Sequence, residues 1–432
     1  MIRFIYNLLW PLGLLIFLPA YFAKMIRRGG YREKFGQRLG IYDGEVRNRL
    51  SNQRLTWLHA VSVGEVNIAL KLANALRVLE PDLRCVLTTT TTTGFALARK
   101  TTPPWIEVMY TPLDYWPIMR HAFSVIRPAR IVLVEAEVWP NLAAAAHARR
   151  IPLALVNARL SPRSERRYRR FRFFVAPTFR LLDLVCVPER RDVERWAALG
   201  VPRNRMHLTG SIKFDPDVQA QSHTVATSLR DVLPDASPDS LVLFGGSTHR
   251  GEEEILARLF LRLREQFPSL RLFIAPRHVE RLQEIRAQLD AMPLRVTLAS
   301  EALTCNAADA DCMLLDTTGE LQRWYGIATV VFIGKSLTAH GGQNPVEPIL
   351  AGKPVVFGPH MENFATLART LVSNNAAMQV NDTDSLERTV GGLLRDSELR
   401  QCLVKNALAA LSEHKGGTAR TAKLVHELGC GH

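Results

Sequence analysis

The chain reads as an α/β protein of two domains, each built on parallel strands with crossover helices. Two observations carry this. Short apolar runs rich in β-branched residues alternate with helical patterns, as parallel strands and their crossovers do. Three polar segments also occupy equivalent places, each between a strand-like and a helix-like run. They are His59-Ala60-Val61-Ser62-Val63-Gly64-Glu65, Gly245-Gly246-Ser247-Thr248-His249-Arg250-Gly251-Glu252-Glu253 and His340-Gly341-Gly342-Gln343-Asn344-Pro345-Val346-Glu347-Pro348. In an open α/β sheet that place is the ligand crevice outside the carboxyl ends of the strands. One segment in the first half and two in the second predict two facing domains with a ligand between them.

At 432 residues the chain suffices for two domains of ordinary size, and its 47% hydrophobic content supports real cores. It opens on a nearly unbroken apolar run over residues 4–23, followed at once by Lys24, Arg27 and Arg28, with only Arg3 before it. About 20 apolar residues can cross a bilayer as a helix. The charge asymmetry places the rest of the chain in the cytoplasm. A cleaved signal peptide fits poorly, because its charge belongs before the apolar run. Residues 1–38 are therefore expected to form a membrane anchor and a basic juxtamembrane segment.

Residues 39–213 form the expected first domain. Strands are expected at 55–58, 83–87, 131–134, 153–156 and 184–187. Val66, Ala69, Leu70, Ala73 and Leu76 share one face of a helix after the first strand. Residues 88–93 read as a polar loop capped by Gly94. Residues 214–240 are rich in Asp, Ser and Pro, and are expected to be a linker with the first helix of the second half. The pattern restarts with strands at 241–244, 270–274, 312–315, 329–333 and 354–357, so 241–432 is the expected second domain. The stretch 399–428 is helical in pattern, and its docking place stays open.

The formal net charge of +14 calls for an anionic partner: nucleic acid, anionic lipid or a phosphorylated substrate. Arg159, Arg163, Arg166, Arg167, Arg169, Arg170 and Arg172 interleave with Tyr168, Phe171, Phe173 and Phe174. Such a stretch can lie on a membrane surface, rings in the interface and cations at headgroups. A solvated helix face is the plainer alternative. The six cysteines are scattered without metal or redox spacing, as in a reduced compartment.

The turn before Asn344 exposes backbone N–H groups and a helix start, which suits an anion. Asn344, Pro345 and Glu347 also fit a plain helix cap. Thr317 and Glu320 repeat that spacing after the 312–315 strand. Pro276, Arg277 and His278 follow the 270–274 strand, where an arginine can meet a phosphate or carboxylate. Three such turns in one half suggest a nucleotide. No Walker lysine motif and no Gly-x-Gly-x-x-Gly after the first strand occur. Glu65 stands in the first turn of a helix, where a carboxylate usually complements the dipole. Glu135 and Glu137 end a neighbouring strand, so three carboxylates are expected to converge, which favours a general base at Glu65. The acidic pairs Asp215/Asp217, Asp309/Asp311 and Asp382/Asp384 are badly placed for a metal, and none is expected.

With these residues in place the chain resembles the bacterial 3-deoxy-D-manno-octulosonic acid (Kdo) transferases that glycosylate lipid A. The stretches are 59–65, 135–141 (EAEVWPN), 157–161 (NARLS), 210–215 (GSIKFD), 246–253 (GSTHRGEE), 276–278 (PRH), 318–321 (TGEL), 341–348 (GGQNPVEP) and 358–364 (GPHMENF). They run in family order over nearly the whole chain. The resemblance implies a GT-B fold, two Rossmann-like domains with acceptor in the first and CMP-Kdo donor in the second. It implies an inverting, metal-independent transfer of Kdo to a hydroxyl of the lipid A precursor, with no cofactor. Glu65 would be the general base, with Glu137, Lys213 or both stabilising the transition state. Pro276, Arg277, Thr318, Gly319, Glu320, Asn344, Pro345, Val346 and Glu347 would hold CMP. The family usually has Met at position 318, often His at 343 and Gly at 335. The expected partners are the lipid A precursor, CMP-Kdo and an anionic lipid surface, with no nucleic acid. The expected place is the cytoplasmic side of the inner membrane. Two other readings stay open: another GT-B enzyme acting on a UDP-sugar, and a non-enzymatic binder of anionic lipid.

Overall fold

The computed structural model describes residues 3–10, 34–51, 53–215, 239–302, 310–317 and 321–430. The chain forms two compact units, residues 1–215 with 414–432, and residues 216–413.

The first unit is built on β1 (Leu55–His59), β2 (Arg84–Thr89), β3 (Ile106–Tyr110), β4 (Pro128–Val134), β5 (Leu153–Val156), β6 (Leu184–Val187) and β7 (Met206–Leu208). They form one seven-stranded sheet in the order β3-β2-β1-β4-β5-β6-β7. Every pairing is parallel. All residues of β1 are buried, as a central strand covered on both faces requires. Trp57 joins one core and Leu58 the other. The helix Val63–Leu79 buries Val66, Ala69, Ala73 and Leu76 as expected. Gly94 does not end a loop. It lies inside the helix Thr92–Thr101, capped by Thr91, whose hydroxyl accepts from Gly94 N.

The second unit carries β8 (Leu241–Thr248), β9 (Leu270–Pro276), β10 (Val296–Leu298), β11 (Cys312–Leu314), β12 (Val330–Ile333), β13 (Val355–Phe357) and β14 (Met378–Gln379). The sheet order is β10-β11-β9-β8-β12-β13-β14, again parallel throughout. In each sheet the chain crosses from one side of its first strand to the other, where β4 joins β1 and where β12 joins β8. These are the topological switch points where such sheets bind ligands.

Two expected boundaries are corrected. Phe214 and Asp215 are buried in the first unit rather than opening the linker, and residues 216–238 lie outside the described residues. The second unit stops before His414, not at residue 432. The helix Gly417–Cys430 packs in the same core as the helix Val63–Leu79. The Asp215 carboxylate accepts from Gly416 N and Thr418 N, each at 2.7 Å, so it caps that last helix. Glu80 joins His426 Nδ1 at 2.7 Å and Arg130 at 2.8 Å.

Most of the apolar run expected as an anchor lies outside the described residues. Among the described residues no helix is long and apolar enough to cross a membrane. Residues 3–10 are helical and lie on the first unit. Asn7 and Asn141 exchange two amide hydrogen bonds at 2.9 Å, and Trp10 stacks on Tyr115 with centroids 5.1 Å apart. Tyr6 reaches Asp114. Asp114 in turn accepts from Asn141 N and Leu142 N at the start of the helix Pro140–Ala148. The opposite side of this segment is apolar and open: Phe4 is 71% and Leu8 63% exposed.

Candidate active site

In the first unit the site grows from the carboxyl ends of β1, β4 and β5. Ser62 caps the helix that follows β1, its hydroxyl accepting from Glu65 N at 3.4 Å. The Glu65 carboxylate accepts from Val61 N and the Ser62 hydroxyl, both at 2.8 Å. Those two bonds favour the ionised form. Burial, at 8% exposure, outweighs them. Together with the charges of Glu135 and Glu137 it pushes the carboxyl up to about 7. The carboxylate is thus both a cap partner and a group poised near neutrality.

Glu135 is the first residue after β4 and adopts φ 62°; Asn157, first after β5, adopts φ 50°. Left-handed backbone at two non-glycine residues beside each other is costly and clusters at functional sites. Asn157 is buried, and its side-chain oxygen accepts from the Ser211 hydroxyl and Ile212 N, both at 3.2 Å. That holds the loop carrying Lys213 against the sheet edge. Burial pushes Lys213 down, while Glu135 pulls it back up. Burial pushes Glu135 up, and Arg159 and Lys213 oppose it. Burial pushes Glu137 up as well, opposed by Trp139 and reinforced by Glu135. Glu65, Glu135, Glu137, Lys213 and Arg159 therefore share one electrostatic neighbourhood. Arg159 is a finding: it sits with the carboxylates, apart from the arginines with which the sequence grouped it. Its signal was its place three residues after a strand end. His59, at the end of β1, is fully buried, pushed down to about 4 by burial, and so neutral at pH 7. Its Nδ1 lies 3.1 Å from the Thr88 hydroxyl.

In the second unit the ends of β8 and β12 nearly touch. A Cβ on Gly334 would lie 2.2 Å from the Ser247 carbonyl oxygen, so only glycine fits there. The loop after β12 is held by Glu252, which is fully buried. Its carboxylate accepts from His249 N at 2.8 Å, Lys335 N at 2.7 Å, Ser336 N at 3.0 Å and Leu337 N at 3.1 Å. Sequence reasoning missed this role, because the four donors come from two distant segments.

That loop leads to Asn344. Its side-chain oxygen accepts from Val346 N at 3.1 Å, and its amide donates to Glu347 at 3.1 Å. The helix Val346–Leu350 begins one residue later than the expected cap geometry, with Pro345 at the N-cap and no capping box. Pro276 ends β9 and is buried; Arg277 follows it, exposed, with its N–H on Thr248 O at 3.0 Å. Thr318, Gly319 and Glu320 lie outside the described residues. Burial pushes His249 down to about 4, and the neighbouring Lys335, Arg281 and Arg277 push it the same way. Arg281 is steadied by Glu253 at 3.1 Å. The ends of β9, β8 and β12 thus gather positive charge beside the helix that opens at Val346, an arrangement suited to a phosphorylated ligand.

The family model described as 3-deoxy-D-manno-octulosonic-acid transferase (kdotransferase) matches residues 33–216. The chain is 32% identical to the 3-deoxy-D-manno-octulosonic acid transferase of Haemophilus influenzae, over 91% of each chain. It is 33% identical to that of Bordetella pertussis, over 86% of each. Among solved structures, UDP-GlcNAc 2-epimerase from Neisseria meningitidis bound to UDP-GlcNAc covers 87% of this chain, and 99% of its own, at 12% identity and a TM-score of 0.54. At that identity the likeness is one of fold.

Proposed function

Because the chain belongs to the 3-deoxy-D-manno-octulosonic acid transferase family, we propose that this glycosyltransferase moves Kdo from CMP-Kdo to a hydroxyl of the lipid A precursor, in one inverting step and without a metal ion. The observation that carries the proposal is Glu65, a buried carboxyl pushed up to about 7 at the switch point of the first sheet. The acceptor hydroxyl must lose its proton as it attacks, and a base is most effective with its pKa near the working pH. As the new C–O bond forms, the bond from the sugar to CMP breaks, and CMP leaves with the electron pair. Glu65 takes the acceptor proton. Glu137 offsets positive charge developing on the sugar, and Lys213 helps balance the negative charge of the leaving phosphate. Arg277 and the helix start at Val346 offset charge on the leaving phosphate.

Incubating the protein with CMP-Kdo and a lipid A precursor, then weighing the lipid product, tests the assignment. A product gaining no Kdo sinks it. Arg277→Ala should weaken CMP binding by roughly 10- to 100-fold, since a hydrogen bond to a charged group contributes about 1.5–3 kcal/mol. The loss should shrink in high salt. Calorimetric titration with CMP checks this, and unchanged affinity would remove Arg277 from the nucleotide.

The same reading places the enzyme at the cytoplasmic face of the inner membrane, beside an acceptor that stays in the bilayer. Support comes from rings that water should repel: Phe171, Phe173 and Phe174 are 49%, 69% and 48% exposed among the arginines of residues 163–172. Phe4 and Leu8 add a second apolar face. Removing residues 1–23 should leave both sheets intact and CMP binding unchanged. It should lower the melting temperature, because the Asn7–Asn141 pair and the Trp10–Tyr115 stack are lost. The shortened protein should still bind anionic vesicles at low salt and leave them at high salt, with about 1 kcal/mol per basic residue at the surface. Vesicle flotation that is indifferent to salt would exclude the arginines from attachment.

A further inference from the structure

We propose that His340, His360 and Glu362 form a binding site for a divalent transition-metal ion of the zinc class, separate from the transfer chemistry. One ligand atom from each of the three side chains falls within 4.8 Å of the others. His340 Nδ1 lies 3.1 Å from Glu362 Oε1, and His360 Nδ1 lies 3.5 Å from the same oxygen. The two rings approach to 4.0 Å between centroids with planes 58° apart, each with its Nδ1 near the same carboxylate oxygen. In a tetrahedral zinc site with bonds of about 2.0–2.1 Å, neighbouring ligand atoms stand about 3.3–3.4 Å apart. The two observed separations bracket that value. Small side-chain adjustments would admit the ion.

The ligands are held in place by their own surroundings. Gly341 N donates to Glu362 Oε2 at 2.6 Å, which turns the other carboxylate oxygen to the rings. Asn363 N donates to Gly341 O at 2.9 Å and His360 N to Ser336 O at 3.0 Å, so the two ligand-bearing segments are tied together by backbone. Such outer contacts orient metal ligands and tune their affinity. His340 and Glu362 keep 77% and 55% of their side chains exposed, which gives an entry path and leaves a position for water. Two imidazoles and one carboxylate suit zinc, cobalt, nickel or copper; magnesium and calcium prefer all-oxygen sets. Both segments adjoin the glycine turn that leads to Asn344, so an ion here would clamp the rim of the proposed donor site.

Cobalt titration of the full chain in detergent, followed by visible absorption, tests the site, with zinc as competitor. One equivalent should give the intense bands of a four-coordinate ion, and zinc should erase them while magnesium should not. His340→Ala and His360→Ala should each weaken binding roughly tenfold or more, the scale seen even for outer-shell losses. His340 is exposed enough that its loss leaves the fold intact, and an unchanged melting curve confirms that. The absence of saturable binding overturns the proposal. So does binding that is equal in wild type and His340→Ala, which would assign the ion to other residues. Neither result depends on the donor or on transfer activity.

Discussion

Glu65→Gln should slow Kdo transfer by about 10²–10⁴-fold, the usual cost of losing a general base. CMP binding should survive, because the groups proposed to hold CMP belong to the other compact unit. Wild-type activity should rise with pH through about 7, as Glu65 ionises, and fall below it. Stability should move the other way. The folded carboxyl titrates at about 7 against an ordinary 4.5, so the folded state binds the proton more tightly than the unfolded chain does. The cost of keeping Glu65 charged in the folded state therefore grows as pH rises from 4.5 to about 7 and is complete above that. It amounts to roughly 3 kcal/mol at 1.36 kcal/mol per unit. The Gln variant should consequently melt higher than wild type in alkaline buffer and show little gain in acid. Transfer within a few-fold of wild type would show that Glu65 serves only to cap its helix.

Glu252→Ala should be the most destabilising single change in the second unit. Four buried or half-buried backbone donors, from His249, Lys335, Ser336 and Leu337, converge on this one carboxylate. Each donor left unpaired costs about 1–3 kcal/mol, so the sum is on the order of 4 kcal/mol or more. That is a large part of the stability of an ordinary domain. Glu252→Gln should fall between, since a carboxamide has one accepting oxygen where two are used. CMP affinity should fall with stability, because Lys335 and the turn to Asn344 lose their anchor. Chemical denaturation of the three proteins measures this, and a loss for the Ala variant below about 1 kcal/mol would show that water replaces the carboxylate without difficulty.

All ten strands expected from apolar runs exist, and the four that were missed are β3, β7, β10 and β14, the two edges of each sheet. The reason is physical. A central parallel strand is covered on both faces and reads as a continuous apolar run. Three of these edge strands are short and partly open: β10 is only half-buried throughout, β7 carries an exposed histidine and leucine, and β14 has two residues. The fourth, β3, is buried except at Glu107, whose charge interrupts its apolar run. The convergence of Glu65, Glu135 and Glu137 was legible because all three stand at the ends of apolar runs. The roles of Asn157 and Glu252 were not, since their partners lie 54 and up to 85 residues away. The docking of Tyr6, Asn7 and Trp10 was hidden too, because an apolar helix start looks the same whether it meets lipid or protein.

The return of the last helix to the first unit bears on how the chain is made. Residues 1–215 and 414–432 share a core, so the second unit is an insertion within the first. A ribosome delivers the whole inserted unit before the segment that Asp215 caps. Until then the helix Val63–Leu79 lacks the cover of Val425 and Ala422, and Arg130 and Glu80 lack their partners on the last helix. The inserted unit holds all of its own residues before the closing segment is made. The unit that carries Glu65, Glu135 and Glu137 must wait for the segment from His414 onward. A released chain truncated before residue 414 should therefore have a protease-resistant second unit and a protease-sensitive first one.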